Sequence, residues 1–339
     1  MNKSNKPKRR WQLWLGLIIS GVALVLALLG IDLSKVAEAL TQAEYVYLIP
    51  ATVGMFAYLF ARAVRWQLLV TPKVSLSRCF WVTNIGYLVS NVLPFRLGDP
   101  ARAIVIGQDE RISTTAALST VVVERVLDML MVVAILAGVV PFISGVGDTA
   151  IFGLIAGGAA IAALAVLLFL AFRPDWGRSV LRWGLDLIPR LDSERLAQSF
   201  DGLFEGLAPL RSGRRGLALL AWSVVTWACV LIFYWSLLRA FLSPPPLLAS
   251  PFLVCVVGLG MAIPSSPGAM GVFHAVARYG LAVPFGVPED QAFTIAFAMH
   301  TFQYTLGCLL GLIGLGMESL SLGWLRAKVS NVEGVEEIQ

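Results

Sequence analysis

The sequence predicts an all-α polytopic membrane protein with about six to eight transmembrane helices and two re-entrant helical hairpins arranged as an inverted repeat. Three observations predict it. The 339 residues are 58% hydrophobic and only 14% charged, against about 25% charged residues in soluble domains, and mean hydropathy is +0.78. The apolar residues come in runs near the ~20 residues that a bilayer crossing needs. Two of these runs end in helix-breaking segments 170 residues apart: Pro94 and Gly98 in VLPFRLGDPARAI, Pro264 and Gly268 in AIPSSPGAMGVFH. The net charge of +5 does not point to nucleic acid. Lys and Arg gather at the ends of apolar runs, as membrane topology demands, and form no single stripe.

The elements follow in order. MNKSNKPKRR is a basic flank before a long apolar run, which predicts an uncleaved first helix over 11–30 with a cytoplasmic N-terminus. Leu33, Val36, Ala37 and Leu40 recur at helical spacing behind Ser34, a suitable N-cap, so 31–44 reads as a short surface helix. Residues 45–60 return across the bilayer and end in Arg62, Arg65, Lys73 and Arg78, a cytoplasmic signature. The first odd segment is 79–95. Residues 113–142 span outward and 151–172 span back. Between 173 and 213, arginines accumulate, and Leu196, Phe200, Leu203, Phe204 and Leu207 share a helical face, which predicts an amphipathic segment at the cytoplasmic interface. Residues 216–242 span outward to the turn Ser243-Pro244-Pro245-Pro246, 247–263 form the second odd segment, and 291–317 span inward. This gives one membrane domain over 1–320, with repeats at about 45–172 and 214–317, and a cytoplasmic tail over 321–339.

Orientation decides how the odd segments run. If both cross fully, positive charge does not sort. If both dip and return, the outer side holds only Lys35 and Arg278 as basic residues, which favours two re-entrant elements, the first from the cytoplasm and the second from outside. About six full spans then remain, or eight crossings if each hairpin is long. Such an arrangement is typical of transporters with a site near the midplane. Trp11, Trp14, Trp66, Trp81, Trp222 and Trp324 lie near expected span ends and read as interfacial anchors. Gly307 and Gly311 form a GxxxG pair suited to close helix packing. Cys79, Cys229, Cys255 and Cys308 have no metal-site spacing and read as packing residues.

Candidate binding residues lie at the breaks and inside one span. Backbone groups freed by Pro and Gly must be satisfied in lipid, so broken helices line protein or a water-filled cavity. Gly98-Asp99-Pro100 reads as a helix start with Asp99 as N-cap and Pro100 at N1. Arg96 and Arg102 bracket that end, where free amides suit an anion. Ser265, Ser266, Gly268 and Gly271 repeat the idea in the second break, near Pro264 and Pro267. A plainer reading makes Asp99 the cap of a loop helix and lets the arginines snorkel to headgroups. Glu124, Arg125 and Asp128, in VVVERVLDML, fall roughly 16 Å into their helix at 1.5 Å per residue. A charge there costs at least ~2.5–3.5 kcal/mol and needs a partner or a cavity. Their sum of −1 asks for another cation, with Arg96 or Arg102 the natural source. They form either an ion network that locks helices, a polar substrate site, or both. His300 sits within a span beside Gln303 and Tyr304, and His274 and Arg278 follow the second break at i, i+4.

Taken together, NVLPFRLGDPARA, ERVLDML and IPSSPGAMGVFHA resemble the flippase-like membrane domain of the lysylphosphatidylglycerol synthase family, over roughly residues 10–320. The shared pattern is LP-x-R-x-GD-x-x-R, an intramembrane ER-x-x-D and P-x-x-PG-x-x-G. The resemblance implies movement of a phospholipid or lipid-linked headgroup between leaflets of the cytoplasmic membrane. Its motif residues here are Pro94, Arg96, Gly98, Asp99, Arg102, Glu124, Arg125, Asp128, Pro264, Pro267, Gly268 and Gly271. The synthases also carry a soluble C-terminal aminoacyl-transferase domain. Past Met317 this sequence has only a short tail ending SNVEGVEEIQ, so aminoacylation is not expected of it. Membrane lipids with an anionic or zwitterionic phospholipid headgroup are the expected ligands, and a homodimer or a lipid-synthesis enzyme the expected protein partners. No cofactor, metal or nucleic acid is expected. No P-loop is present, so transport would be passive or ion-coupled. The rival reading is a membrane-embedded enzyme acting on lipid or polyprenyl phosphates, with Glu124, Asp128 and His300 as acid and base. A third is an accessory subunit of a lipid-modifying enzyme.

Overall fold

The computed structural model describes residues 18–70, 74–93, 97–108, 112–143, 172–186, 212–261 and 265–325, with scattered positions between 158 and 170 and residue 328. Among these the regular structure is helical, with no strand. Four helical stretches are long and apolar enough to cross a membrane: Tyr45–Val70, Thr114–Phe142, Gly213–Phe241 and Glu289–Met317, of 26 to 29 residues. At 1.5 Å per residue each is ~40 Å long, enough for the ~30 Å hydrocarbon layer. Their outward faces stay apolar and exposed, with Val53, Phe56 and Phe60 on the first, Val224, Val225 and Ile232 on the third, and Leu309, Leu312 and Ile313 on the fourth. A soluble protein of this size would hide such belts; a bilayer covers them.

The helices are α1 (Ile18–Leu28), α2 (Leu33–Thr41), α3 (Leu48–Val70), α4 (Leu76–Val92), α5 (Gly98–Ile106), α6 (Thr114–Val139), α7 (Pro174–Asp186), α8 (Gly213–Phe241), α9 (Ala249–Gly260), α10 (Val272–Phe285) and α11 (Glu289–Met317). A bend of 77° separates α1 from α2. Gly30 supplies it with a φ of 76°, a conformation that costs glycine nothing. The cap of α2 is Asp32, whose carboxylate accepts from Ser34 N–H at 2.9 Å, and Ser34 itself lies inside the first turn. Of the expected amphipathic segment, α7 is present with Trp176 and Trp183 exposed. Residues 187–211 and most of the expected span 151–172 lie outside the described residues, as do Trp11 and Trp14.

Helix α3 runs ten residues past its expected end at 60. Arg62 and Arg65 therefore lie inside the helix and are buried, and they do not mark a cytoplasmic loop. Their charge is compensated by acidic groups of α6, which is why the helix tolerates them. Trp66, one turn on, is fully buried and is no interfacial anchor. The remaining helix boundaries differ from expectation by a few residues.

Both odd segments fold as hairpins whose arms are shorter than a full span. In the first, Gly86 of α4 faces Arg102 and Gly98 of α5, and Gly98 in turn faces Ser90. The pairing of 86 with 102 and 90 with 98 makes the arms antiparallel. In the second, Gly260 faces Val276, Gly280 faces Val256, and the rings of Phe252 and Phe285 lie 5.7 Å apart, again antiparallel. The hairpins pack mainly in different cores and meet where Gly268 lies against Asn91. The first packs in a core with Trp66, Leu69 and Val121, and the second in a core with Ala51, Met55 and Val132. Helices α3 and α6 run through both cores and join them. The expected Gly307/Gly311 packing is also present: α11 lies directly on α4, with Gly311 against Leu88 and Asn84, and Gly314 against Trp81.

One consequence concerns Gly98. A Cβ there would overlap Gly86 O and Ser90 Oγ and lie 2.9 Å from the Gly86 carbonyl carbon. Gly98→Ala is therefore expected to cost about 1–3 kcal/mol, read as a lower melting midpoint of the detergent-solubilised protein. Gly138→Ala, where a Cβ meets nothing within 4 Å, serves as the control and is expected to leave the midpoint in place or raise it slightly through helix propensity.

Candidate functional site

A charge network joins α3, α5 and α6. Glu124 and Asp128 share one face of α6 at i, i+4, and Arg62 and Arg65 share one face of α3 at i, i+3. Glu124 Oε1 receives Arg62 at 2.6 Å and Arg65 at 3.3 Å, and its Oε2 receives Arg102 at 2.6 Å. Asp128 Oδ1 holds Arg65 at 2.7 Å, while its Oδ2 lies 3.6 Å from Arg62 and 3.8 Å from Arg125. Arg125 donates through Nε and Nη2 to both oxygens of Asp99, each at 2.8 Å. Arg65 and Glu124 have no exposed surface, and Arg62 and Arg102 almost none. Gly86 lets the stem of Arg102 pass, since a Cβ there would lie 2.6 Å from Arg102 Cγ. The Arg102 guanidinium lies 4.3 Å from the Trp66 ring centroid, and the Trp66 indole N–H donates to Thr120 Oγ1 at 3.1 Å.

The network opens on a cavity of about 260 Å³. One wall carries Arg62, Arg125 and Asp128, with the Tyr58 and Tyr87 hydroxyls 2.8 Å apart and Arg62 Nη1 donating to Tyr58 at 2.9 Å. The opposite walls are mostly apolar: Trp227, Val230 and Phe233 of α8, and Val254 and Val257 of α9. Both hairpins reach it. Asn91, in the last turn of α4, and Gly268, at the tip of the second hairpin, line it side by side, the latter with a φ of 67°. A Cβ on Gly268 would press on the Tyr304 ring at 2.7 Å. Nε2 of His300 is hydrogen-bonded to Gly268 O at 2.8 Å, and its ring stacks on Phe273 at 4.7 Å. Gln303 Nε2 donates to Tyr234 at 3.3 Å.

The structure brings together Asp99, Arg102, Glu124, Arg125 and Asp128, and it places Arg125, Asp128, Gly268 and His300 on the cavity. Arg102 supplies the cation that the sequence asked for. Asp99 is not an N-cap: the helix begins at Gly98, Leu97 takes the cap position without a side-chain bond, and the Asp99 carboxylate turns to Arg125. A guanidinium whose other carboxylate, on Asp128, is 3.8 Å away holds it more strongly than backbone amides. Arg278 does not line the cavity. It is buried, donates to the carbonyls of Leu26, Ala27 and Leu29 at the end of α1, and pairs with Glu289. Ser266 N–H donates to Ser20 Oγ at 2.7 Å, and Gly271 lies against the backbone of Ser20 and Leu24, so this side of the second hairpin seats α1. Ser265 is not a cavity residue either. Pro267 opens the short 3₁₀ turn at the tip. Pro94, Arg96 and Pro264 lie outside the described residues.

Sequence reasoning missed Arg62, Arg65, Tyr58, Tyr87 and Gly86. A signal for the two arginines existed: LFARAVRWQLLV continues the apolar helix past both of them. Four guanidinium groups thus meet three carboxylates, an excess of +1 among the described residues.

Fold and site together define an integral, polytopic helical membrane protein whose mid-span charge network borders a cavity between two hairpins. The chain belongs to the family described as the lysylphosphatidylglycerol synthase TM region, which it matches over residues 13–311. It is similar to a UPF0104 membrane protein of Methanothermobacter thermautotrophicus, 26% identical over 283 residues, covering 77% of this chain and 82% of that protein. It is also similar to the protein named Glycosyltransferase AglD of Haloferax volcanii, 25% identical over 338 residues, covering 87% of this chain and 52% of that protein. The chain therefore spans about half the length of the second relative. No solved structure matches it.

Proposed function

We propose that this protein is a lipid transporter of the cytoplasmic membrane, a flippase or scramblase that moves a phospholipid or lipid-linked headgroup between leaflets. The observation that carries the reading is the cavity: charged and polar on the α3–α6 wall, apolar on the α8–α9 wall, and bordered by both hairpins. A headgroup fits the first wall and acyl chains the second. The hairpins are re-entrant, the first from the cytoplasm and the second from outside, with both termini cytoplasmic. Movement of one hairpin at a time would open the site to one leaflet at a time. Glu124 and Asp128 balance the arginines when the site is empty. Transport is passive or ion-coupled, and no bond of the lipid is broken.

The test is exchange of a labelled phospholipid across proteoliposome leaflets, with recovery of the lipid for chromatography. Exchange well above protein-free vesicles, with an unchanged lipid, supports the transporter. Asp128→Asn gives the expected sign of the site's electrostatics. Losing that charge leaves Arg62 and Arg125 under-compensated at the cavity, so a phosphate is held more tightly and released more slowly. A site must bind weakly enough to let its ligand leave, and exchange is expected to fall about tenfold while the protein stays folded.

A second reading, an enzyme acting on lipid or polyprenyl phosphates, draws its support from the name of the Haloferax relative. In the same assay it requires a chemically changed lipid.

A further inference from the structure

The network is rich in donors, and the excess indicates which headgroup the cavity takes. Every carboxylate is already engaged by at least two guanidinium groups. Asp99 has Arg125 and Arg102, Glu124 has Arg62, Arg65 and Arg102, and Asp128 has Arg62, Arg65 and Arg125. The guanidinium groups are not used up. Nε of Arg62, Arg65 and Arg102 is buried without a hydrogen-bond partner among the described residues. Arg62, only 4% exposed, lines the cavity itself. A buried donor left without an acceptor is costly and rare in native proteins. Of the three, only Arg62 lines the cavity, and a ligand that only accepts would add to the acceptors its guanidinium faces. A ligand that carries an ammonium would find no free carboxylate.

The place is specific. Arg62 and Arg125 both approach Asp128 Oδ2, at 3.6 Å and 3.8 Å, in ion-pair range but too far for a hydrogen bond. Arg125 uses Nε and Nη2 on Asp99, so Nη1, 3.8 Å from Asp128 Oδ2, is its loosely held donor. The two groups bracket one spot on the wall, opposite the apolar faces of α8 and α9.

We infer that the cavity wall between Arg62 and Arg125 is a phosphate-binding subsite, and that it selects lipids with an anionic headgroup over zwitterionic or cationic ones. Lipid as the source of the phosphate rests on the transporter reading; the subsite itself does not. Asp99 acts as the competing anion, holding Arg125 when no phosphate is bound.

Native mass spectrometry on the purified full chain measures this with three lipids of matched acyl chains: phosphatidylglycerol, phosphatidylcholine and a cationic trimethylammonium lipid without phosphate. Phosphatidylglycerol is expected to bind about tenfold or more tightly than either of the others, since the lipid without phosphate forfeits the charge-assisted hydrogen bonds and phosphatidylcholine brings a fixed cation beside the excess of arginines. Arg125→Gln is expected to abolish the preference, and Asp99→Asn to strengthen phosphatidylglycerol binding by releasing Arg125. Opposite signs from two neighbouring variants are not produced by loss of folding, and size-exclusion profiles check both proteins. Equal binding of the three lipids with no Arg125-dependent displacement by inorganic phosphate, or a preference that survives Arg125→Gln, overturns the subsite. Displacement by inorganic phosphate that depends on Arg125, without any lipid preference, keeps the subsite and overturns the lipid as its source. A lipid preference without leaflet exchange keeps the subsite and removes the transporter. Leaflet exchange indifferent to headgroup charge, with equal binding, does the reverse.

Discussion

Glu124→Ala is expected to leave little stably folded protein. Its carboxylate is fully buried and is the shared partner of Arg62, Arg65 and Arg102. Removing one partner of a buried ion pair costs about 3–5 kcal/mol, because the remaining charge has neither water nor a counter-ion. Here three guanidinium groups lose that partner at once, and the local excess rises from one positive charge to two. Against a total stability of about 5–15 kcal/mol, a loss of this size is decisive. Glu124→Gln keeps the shape but not the charge and should be destabilised nearly as much, which separates electrostatics from cavity formation. Thermal stability in detergent, followed by size-exclusion chromatography, reads both variants. The surface pair Lys35–Asp290, with the lysine side chain 63% exposed, gives the contrast: Lys35→Ala is worth at most about 1 kcal/mol. A Glu124→Ala protein that melts within a few degrees of wild type would falsify the view that the network holds α3, α5 and α6 together.

The same network ties the first hairpin to α3 and α6. Arg102 is the only contribution of α5 to the Glu124 carboxylate among the described residues, and Asp99 ties the first turn of α5 to Arg125. The inner bond, to Glu124, is buried; the outer one, to Arg125, has its arginine side chain about half exposed. The two bonds therefore differ in their access to solvent, and only the inner one is sealed inside the protein.

Much of this was readable in the sequence, for physical reasons that differ by residue. The four long spans were legible because their length and hydropathy answer to bilayer thickness alone, and the helix breaks because Pro and Gly interrupt two apolar runs. Arg102 was legible as a counter-charge because VVVERVLDML carries an excess of −1 that a bilayer does not tolerate alone. Arg62 and Arg65 were not, because an arginine after an apolar run reads the same whether it ends a helix at the headgroups or continues it toward a partner. The partner, Glu124, is 59 residues from Arg65, beyond any local pattern. Arg278 failed in the other direction. It follows the second break as a binding residue would, yet its acceptors are carbonyls at the end of α1, some 250 residues earlier. Gly86 gave no signal either. Its role is to make room for a side chain from another helix, and only the fold shows which one passes.

Gly311→Leu is expected to be the most disruptive change on the opposite face of the same hairpin. A Cβ at 311 would lie 2.7 Å from Asn84 O and closer still to Leu88 Cβ, so even alanine must push α4 away from α11. Overpacking of this kind costs about 1–3 kcal/mol for small additions, and leucine adds three further carbons with nowhere to go. The glycines of the stripe should rank by contact. At Gly314 the new atom would meet Trp81 O at 3.0 Å, backbone that yields with difficulty. At Gly307 it would meet the Asn91 side-chain amide nitrogen at 3.3 Å, the end of a group that can turn. Alanine also gains about 1 kcal/mol of helix propensity over glycine, which offsets the mild clash at 307 and not the severe one at 311. The expected order of melting midpoints is therefore Gly307→Ala, near wild type, then Gly314→Ala, then Gly311→Ala, then Gly311→Leu. Function should follow a different order, because Asn91 and Gly307 both line the cavity whereas Gly311 and Gly314 lie below it. A methyl group at 307 is expected to impair lipid exchange out of proportion to its small effect on stability, and measuring both in one preparation separates a packing stripe from a moving contact.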